Sequence, residues 1–242
     1  GAAGGIVAGG LGARGGSGVV IVRYLGSSTD TAISITDTVA SDTFTASTGT
    51  LSATDVDAGT TLTYGIATIT VTNGVATKVG TFGTLAVTAT TGAYTFTPNA
   101  AAINALAANT TETFSVTVSD GTATTAGTLT VNLTGVNDTP TLGAIAVSGT
   151  EDTTLTFTAA NFTGSYLDAE STALVSITVA TLPATGLLKL SGTNVTAGQV
   201  ITAANLPNLT YVPAANENGA KTFTVTATDG TLSSAVATVT MT

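Results

Sequence analysis

The sequence predicts an all-β protein made of two tandem β-sandwiches, preceded by a glycine-rich segment with one strand. The chain of 242 residues contains 57 Thr, and only 8% of its residues are charged, against about 25% in an ordinary soluble domain. Branched side chains such as Thr, Val and Ile favour a pleated sheet, and the 28 Gly residues favour turns. In addition, a block of about 100 residues occurs twice in the chain.

Residues 1–26 form a glycine-rich leader that ends in the apolar segment GVVIVRY (18–24). The glycines of GLGARG have the spacing of a dinucleotide-binding motif, but a predicted strand follows them where that motif needs a helix N-terminus. GVVIVRY is apolar on both faces, as expected of a strand buried within a sheet. We therefore predict one strand here, which either follows a flexible leader or pairs with the open sheet edge of another copy.

The repeat is clearest in two segments that read as hairpins. ETFSVTVSDGTATTAGTLTV (112–131) returns as KTFTVTATDGTLSSAVATVT (221–240), at an offset of 109 residues. In the first copy Phe114, Val116 and Val118 alternate with polar residues, which places them on one face of a strand. The Asp-Gly pair that follows is typical of a hairpin turn, and about seven such strands in each copy predict a β-sandwich.

These patterns give the domain organisation. We assign residues 27–139 to the first sandwich and residues 140–242 to the second, with the join in GVNDTPTL (135–142). The one helix-like stretch is NAAAINALAAN (99–109). The aromatic residues that we expect in the cores are Tyr64, Tyr94, Phe96, Phe114, Phe157, Tyr211 and Phe223.

Both copies resemble known bacterial families. Residues 37–139 resemble the VCBS repeat through LSATDVDAGTTLTY, GTFGTLAVTATTGAYTFTP, ALAANTTETFSVTVSDG and the closing GVNDTP. Residues 140–242 resemble the cadherin-like, tandem-95 type domain of bacterial surface proteins, through EDTTLTFTAANF and the segment TLPATGLLKLSGTNVTAGQV. Both resemblances imply Ig-like or cadherin-like sandwiches, as in large secreted adhesins, often with calcium near the joints. The leader segment GGSGVVIVRYLG (15–26) resembles the end of glycine-rich domains of phage tail and bacterial surface proteins.

The cadherin-like resemblance implies that acids from two neighbouring sandwiches and their linker converge on calcium, which takes six to eight oxygen ligands. An EF-hand loop is excluded, since position twelve counted from Asp55 is Ile66 instead of Glu. Two other interpretations stay open: each acid caps a turn, or Asp55 and Asp57 form a catalytic pair. We predict calcium as the cofactor, with metal ligands from Asp55, Asp57, Asn137, Asp138, Glu151, Asp152, Asp168 and Glu170.

Composition excludes several other functions. The chain has no His and no Cys, so Ser–His and Cys–His catalysis and thiolate metal sites do not occur, and we predict no enzymatic activity. The basic residues are scattered, whereas nucleic-acid binding needs clustered Lys and Arg. No apolar run approaches the ~20 residues of a membrane-spanning helix. The five basic residues are Arg14, Arg23, Lys78, Lys189 and Lys221.

Together these inferences predict an extracellular structural or adhesion module of a bacterial cell-surface protein, acting as a spacer stiffened by calcium. Its expected partners are neighbouring domains, copies of itself, or a surface protein or glycan. One alternative is a self-assembling subunit of an extracellular filament or sheath, joined by donation of the N-terminal strand. A further alternative is a component of a phage tail fibre.

Overall fold

The computed structural model describes residues 21–24, for which only the backbone is considered, and residues 32–55 and 60–242. Of the described residues, 47% lie in strands and 8% in helices, which confirms the all-β prediction. The chain divides into two compact units. Unit 1 is formed by the described residues up to Ile33, by Thr45–Pro98 and by Glu112–Val131, and unit 2 by Ser34–Phe44, Asn99–Thr111 and Asn132–Thr242.

The first nine strands form two sheets, with the strand orders β1-β3-β7-β6-β5 and β2-β9-β8-β4. Side chains alternate between core and surface along these strands; in β6, for example, Gly83, Leu85 and Val87 are buried and the residues between them are half-exposed. The strands are β1 (Ile21–Tyr24), β2 (Ala32–Thr36), β3 (Ser47–Thr54), β4 (Thr63–Ile66), β5 (Val75–Val79), β6 (Gly83–Thr88), β7 (Ala93–Pro98), β8 (Thr110–Ser119) and β9 (Thr124–Thr134).

Unit 1 has the core of a sandwich. Phe96 of β7 and Phe114 of β8 come from different sheets, and their rings meet edge to face with centroids 5.9 Å apart. Both rings are fully buried, as are Val116 and Val118, so the hairpin face predicted from the alternation is correct. Burial of each large apolar side chain contributes about 1.5–3 kcal/mol to folding.

The predicted leader strand lies on the edge of unit 1. Strand β1 pairs antiparallel with β3 of the same chain, from Ile21 opposite Thr54 to Tyr24 opposite Leu51. The remaining residues of the leader lie outside the described part of the chain. Donation of this strand to a second copy stays a prediction.

Unit 2 contains three sheets, with the orders β11-β20-β19-β14-β17, β12-β18-β15-β16 and β10-β13. All the pairings in these sheets are antiparallel except that of β11 with β20, which is parallel. The strands are β10 (Thr141–Leu142), β11 (Ile145–Val147), β12 (Leu155–Thr156), β13 (Tyr166–Leu167), β14 (Ser176–Thr181), β15 (Leu187–Leu190), β16 (Thr193–Asn194), β17 (Val200–Thr202), β18 (Leu209–Val212), β19 (Lys221–Thr228) and β20 (Ala237–Met241).

Three phenylalanines form the centre of the unit 2 core. Phe157, Phe162 and Phe223 are each 0% exposed. The ring of Phe157 packs edge to face on Phe223, with centroids 5.7 Å apart, and lies 5.9 Å from that of Phe162. Two units of strands packed around aromatic cores confirm the predicted Ig-like or cadherin-like sandwich class.

Helical structure is short. The helix-like stretch predicted at 99–109 is α1 (Ala100–Asn104), which begins after Asn99, whose side chain accepts a hydrogen bond from the N–H of Ala102. The other helices are α2 (Ala159–Thr163) and a 3₁₀ helix (Ala203–Asn208). None of the helices in the described part of the chain is long and apolar enough to cross a membrane.

Two segments belong to unit 2, although we assigned them to the first sandwich from the sequence. They are residues 34–44 and 99–111, which flank the linker. The predicted domain boundaries at residues 26 and 139 remain a prediction. The grouping is relevant to function, because these two segments bring further polar side chains to the linker.

Candidate metal centre

The linker runs beside the segment that follows β2. The N–H of Asp37 donates to the carbonyl oxygen of Thr134 at 3.1 Å, and the N–H of Thr139 donates to that of Val39 at 2.9 Å. These two bonds hold the backbone of 37–39 alongside the linker. Asp37 is thereby fixed next to Asp138, although about 100 residues separate them in sequence.

Helix α1 fixes a second acid near the same segment. Asn104, at the end of the helix, is only 6% exposed. Its Oδ1 accepts the N–H of Asp42 at 3.0 Å, and its Nδ2 donates to the carbonyl oxygen of Asp42 at 3.1 Å. The Asp42 carboxylate accepts the N–H of Thr38 at 2.7 Å, which orders the loop after Asp37.

The short sheet of β10 and β13 brings the D-x-E motif to the linker. Asp168 follows β13 directly, and its Oδ1 accepts the N–H of Thr172 at 2.7 Å. Glu170 reaches the linker itself, where its Oε1 accepts the N–H of Asp138 at 3.0 Å. The linker and the D-x-E motif, which the sequence predicted as ligands, therefore lie together.

Asp229 joins the same group from the turn after β19. Its Oδ1 accepts the N–H groups of Thr231 and Leu232 at 2.6 and 2.7 Å, as expected of a turn residue. Its Oδ2 accepts the Nδ2 amide of Asn137 at 2.7 Å. Burial alone would raise the pKa of Asp229, but these hydrogen bonds outweigh burial and lower it below the usual range.

We call these acids the carboxyl cluster. Asp37 and Asp138 are each 2% exposed, and none of their four carboxylate oxygens accepts a hydrogen bond of good geometry. One buried oxygen of Asp168 and one of Glu170 are also without a donor. Buried polar groups are nearly always hydrogen-bonded, so six such oxygens in one place require a physical explanation. The cluster consists of Asp37, Asp42, Asp138, Asp168, Glu170 and Asp229.

The charges of the cluster repel one another. Burial has the largest effect on the pKa of Asp138. Together with the charges of Asp37, Glu170, Asp42 and Asp168, in that order, it raises this pKa to about 6. Within the described residues the one ion pair found is Lys221–Glu217, so no Lys or Arg side chain described here neutralises the cluster.

The carboxyl group of Asp37 is in a similar environment to that of Asp138. Burial raises the pKa of Asp37, and the nearby charge of Asp42 adds to the rise. The backbone N–H groups of Val136 and Thr38 oppose it without offsetting it. Both Asp37 and Asp138 thus carry their negative charge at a free-energy cost that a bound cation would remove.

The same chain satisfies another carboxylate fully. Glu217 accepts the hydroxyl groups of Thr185 and Tyr211 and the N–H of Ala214, and its Oε1 lies 3.6 Å from Nζ of Lys221. These hydrogen bonds, chiefly that of Thr185, lower the pKa of Glu217 to about 2. Glu217 therefore needs no further ligand, whereas the carboxyl cluster contains buried acceptor oxygens without hydrogen-bond partners.

The other predicted ligands lie elsewhere. Glu151 and Asp152 follow β11; Glu151 lines a cavity of about 230 Å³ beside Tyr211, and Oδ1 of Asp152 accepts the N–H of Asn216 at 2.9 Å. Asp55 belongs to unit 1, and Asp57 lies outside the described residues. The structure therefore brings together Asn137, Asp138, Asp168 and Glu170 among the predicted ligands.

The donor set fits a hard cation such as calcium. It offers carboxylate and amide oxygens only, and the six oxygens without donors match the six to eight that calcium takes. As they stand, no three or more His, Cys, Asp or Glu side chains in the described part of the chain are grouped so that they could hold a metal ion. A cation site here would therefore require the carboxylates to move closer together.

Sequence reasoning missed Asp37, Asp42 and Asp229 as members of this site. Asp229 precedes Gly230, and the Asp-Gly pair predicted a turn, which is correct but incomplete. Asp37 is the one charged residue of the stretch AISITDTVAS. Its position directly after an apolar strand was the signal that could have identified it. In a chain with few charges, an acid directly after an apolar strand therefore indicates a candidate ligand, as the D-x-E motif does.

The raised pKa of Asp138 gives an unusual pH dependence for the metal-free protein. In the presence of a chelator, we expect stability to rise as the pH falls from about 6 towards the ordinary value of 3.8. The folded state takes up the proton of Asp138 before the unfolded chain does, so acidification favours folding in this window. Chemical denaturation at several pH values measures the effect.

Other acids contribute with the opposite sign, but only at the lower end of this window. Glu217 and Asp229 have lowered pKa values, so their stabilising contributions are lost as the pH falls below their usual values of 4.5 and 3.8, and the rise due to Asp138 is measured above pH ~4.5. Asp138→Asn is the control, since it should weaken the response and leave only the part due to Asp37, whose pKa is also raised by burial. Stability that falls steadily with acidification from pH ~6 would contradict the prediction.

One comparison with known proteins identifies part of the chain. Residues 137–242 match the family model described as the bacterial Ig domain. This part is similar to bacterial Ig domains. It starts at Asn137 within the linker and contains the second sandwich predicted from the sequence. The match indicates a surface or extracellular structural module. The VCBS resemblance of residues 37–139 stays a prediction.

Solved structures similar to this chain include cadherin domains. Extracellular domains 3–6 of protocadherin gamma B2 share 13% identity, with a TM-score of 0.38, and the match covers 93% of this chain and 51% of that chain. Domains 1–2 of human protocadherin-24 share 15% identity, with a TM-score of 0.37, and the match covers 93% and 98% of the two chains. Domains EC21-23 of human CDH23 share 15% identity, with a TM-score of 0.41 and coverage of 93% and 64%.

This chain therefore spans about half of the protocadherin gamma B2 structure that it resembles. Among curated protein sequences, none matches it.

Proposed function

We propose that this chain is a non-catalytic extracellular spacer or adhesion module of a bacterial cell-surface protein, and that calcium bound at the carboxyl cluster stiffens it. The observation that supports the proposal best is the set of six buried carboxylate oxygens without hydrogen-bond donors. A site that leaves so many acceptors unsatisfied is costly to the fold unless a ligand compensates for it. Partners of the module would be neighbouring domains, further copies, or a surface protein or glycan.

Four parts of the chain would hold the cation. They are the segment after β2 with Asp37, the linker with Asp138, the D-x-E motif with Asp168 and Glu170, and the turn after β19 with Asp229. A cation at this place supplies positive charge to acids that otherwise repel one another. Because the linker is hydrogen-bonded to Asp229 through Asn137 and to Glu170 through Asp138, neutralisation would lock the linker to both segments.

The mechanism concerns stiffness more than folding. Each unit has its own buried aromatic core, and no member of the carboxyl cluster belongs to these apolar cores. Calcium binding would add stability to the segments around the linker, while chelation would loosen them and leave the cores folded. A spacer with this property transmits force along the chain only where calcium is present, as it is outside the cell.

The experiment is to compare the purified chain in calcium and in EGTA. By mass action, calcium at about 100 times its dissociation constant is expected to raise the free energy of unfolding by about 2.7 kcal/mol. Thermal denaturation measures the stability, and small-angle scattering measures whether the particle becomes more variable in shape after chelation. Circular dichroism should show that the strand content is retained in EGTA.

Magnesium at the same concentration is the matched control. It demands near-ideal octahedral geometry and dehydrates reluctantly, so we expect a much smaller effect than with calcium. Identical melting curves and identical scattering with calcium and with EGTA would rule out the calcium-stiffened spacer. An effect of both ions at equal strength would point to simple screening of the negative charge.

A further inference from the structure

Tyr166 lies where the apolar core of unit 2 meets the carboxyl cluster. It belongs to β13, it is 9% exposed, and it packs within the buried cluster that includes Phe157 and Phe223. Its hydroxyl oxygen is buried and has no hydrogen-bond partner. A buried hydroxyl without a partner destabilises the fold, so its presence at this position needs a reason.

Acceptors without donors lie in the same region. Asp168 follows Tyr166 by two residues, and Asp168 Oδ2 and Glu170 Oε2 are both buried without a donor. The unsatisfied phenol is a donor and the unsatisfied carboxylate oxygens are acceptors. When a cation neutralises the carboxylates, we expect them to move slightly inward. The Tyr166 hydroxyl could then donate a hydrogen bond to a carboxylate oxygen that has no donor.

The phenol keeps its proton under all relevant conditions. The ordinary pKa of a tyrosine is about 10, so the phenol is neutral at physiological pH. A neutral phenol is a poor direct ligand for calcium, which prefers carboxylate and carbonyl oxygens. The phenol is, however, a good hydrogen-bond donor to a carboxylate that is itself bound to the cation.

We infer that Tyr166 is a positioning residue of the cation site, whose hydroxyl donates to the Asp168 carboxylate and orients it towards the ion. This inference rests on the proposed function and assigns a role to a residue outside the acidic motifs. The role is that of an outer-shell partner, which fixes the rotamer of a ligand without touching the metal. Loss of such a partner typically lowers metal affinity by about 10–100-fold.

Tyr166→Phe is the decisive variant, because it removes the hydroxyl and keeps the ring in the core. Calorimetric titration of the full chain with calcium is expected to show about 10–100-fold weaker binding than for the unaltered chain. Tyr211→Phe is the matched control: it also removes a buried hydroxyl from unit 2, but one that is bonded to Glu217. We expect Tyr211→Phe to bind calcium with unchanged affinity.

Terbium luminescence gives a second readout, and its decisive measurement uses the unaltered chain. The chain has five Tyr and no Trp, so with excitation in the tyrosine absorption band the sensitised emission of bound Tb³⁺ comes from a nearby tyrosine. We expect strong emission from the unaltered chain and from Tyr211→Phe, and loss of emission from Tyr166→Phe. Absence of sensitised emission from the unaltered chain with bound Tb³⁺ would overturn the placement of Tyr166 beside the ion.

The outcomes separate this inference from the proposed function. If the unaltered chain binds calcium and Tyr166→Phe binds it equally well, the positioning role is wrong while the calcium site stands. If emission is lost but calcium affinity is unchanged, Tyr166 is a neighbour of the ion without a role in orienting a ligand. If the unaltered chain binds neither calcium nor terbium, the proposed site and the role of Tyr166 are both overturned.

Discussion

Replacement of both Asp37 and Asp138 by Asn is expected to stabilise the metal-free chain and to abolish its response to calcium. The substitutions keep the shape of the side chains and remove two buried charges whose carboxylate oxygens accept no hydrogen bond of good geometry. In EGTA, we expect the free energy of unfolding to rise by roughly 1–3 kcal/mol, since buried charges without partners are destabilising. In calcium, the gain of about 2.7 kcal/mol expected for the unaltered chain should disappear.

The opposite signs of the two effects make this test informative. A substitution that merely damages the fold lowers the free energy of unfolding both in EGTA and in calcium. Removal of ligands that repel one another instead raises the free energy of unfolding in EGTA and abolishes the increase that calcium causes. Thermal and chemical denaturation in EGTA and in calcium give all four values. A double variant that is less stable than the unaltered chain in EGTA would show that these carboxylates have partners that stabilise the fold without a cation.

Glu151→Gln is the matched control for the double variant. Glu151 is an acid of the second sandwich that the sequence also predicted as a ligand, but it is exposed and lines a different part of unit 2. We expect this variant to keep both the stability and the calcium response, within about 0.5 kcal/mol. Loss of the calcium response in Glu151→Gln would favour the ligand set predicted from the sequence over the carboxyl cluster.

The sequence predicted most of the fold because its signals are local. Alternation in TFSVTVSDG requires nothing beyond neighbouring residues, and Phe114, Val116 and Val118 are buried as the alternation indicates. The internal repeat added long-range information, because two copies of one pattern must form similar structures. It placed Phe114 and Phe223 at equivalent positions, and both are central to their cores.

The candidate site was harder to predict from the sequence, because closely spaced acids in turns look alike in a sequence. Glu151-Asp152 and Asp168-Ala-Glu170 are both close pairs in turns, and only the hydrogen bond from Asp138 to Glu170 separates the pair near the linker from the other. The bond between Asn137 and Asp229 spans 92 residues, and no local pattern announces it. Burial is what distinguishes Asp37 and Asp138, and burial depends on the complete fold.

Phe223→Ala is expected to cause the largest loss of stability, about 3–5 kcal/mol, because it leaves a cavity in the centre of unit 2. The contact with the ring of Phe157, 5.7 Å away between centroids, is also lost. Denaturation in EGTA measures the cost, and Thr222→Ala, at the exposed neighbouring position, should change stability by less than about 0.5 kcal/mol. If Phe223→Ala fails to fold, Phe223→Leu leaves a smaller cavity and tests the same contact.

The calcium response of Phe223→Ala tests whether core and cluster are independent. Phe223 lies in β19, six residues before Asp229, which directly follows the strand; this spacing corresponds to about 20 Å of extended chain. Effects of sites this far apart usually add, so calcium should restore the same increment to the variant as to the unaltered chain. A lost increment would mean that β19 must be rigid along its whole length for Asp229 to reach the linker, and that cation binding and core packing form one cooperative unit. A retained increment would mean that calcium acts locally, by neutralising carboxylates around an otherwise complete sandwich.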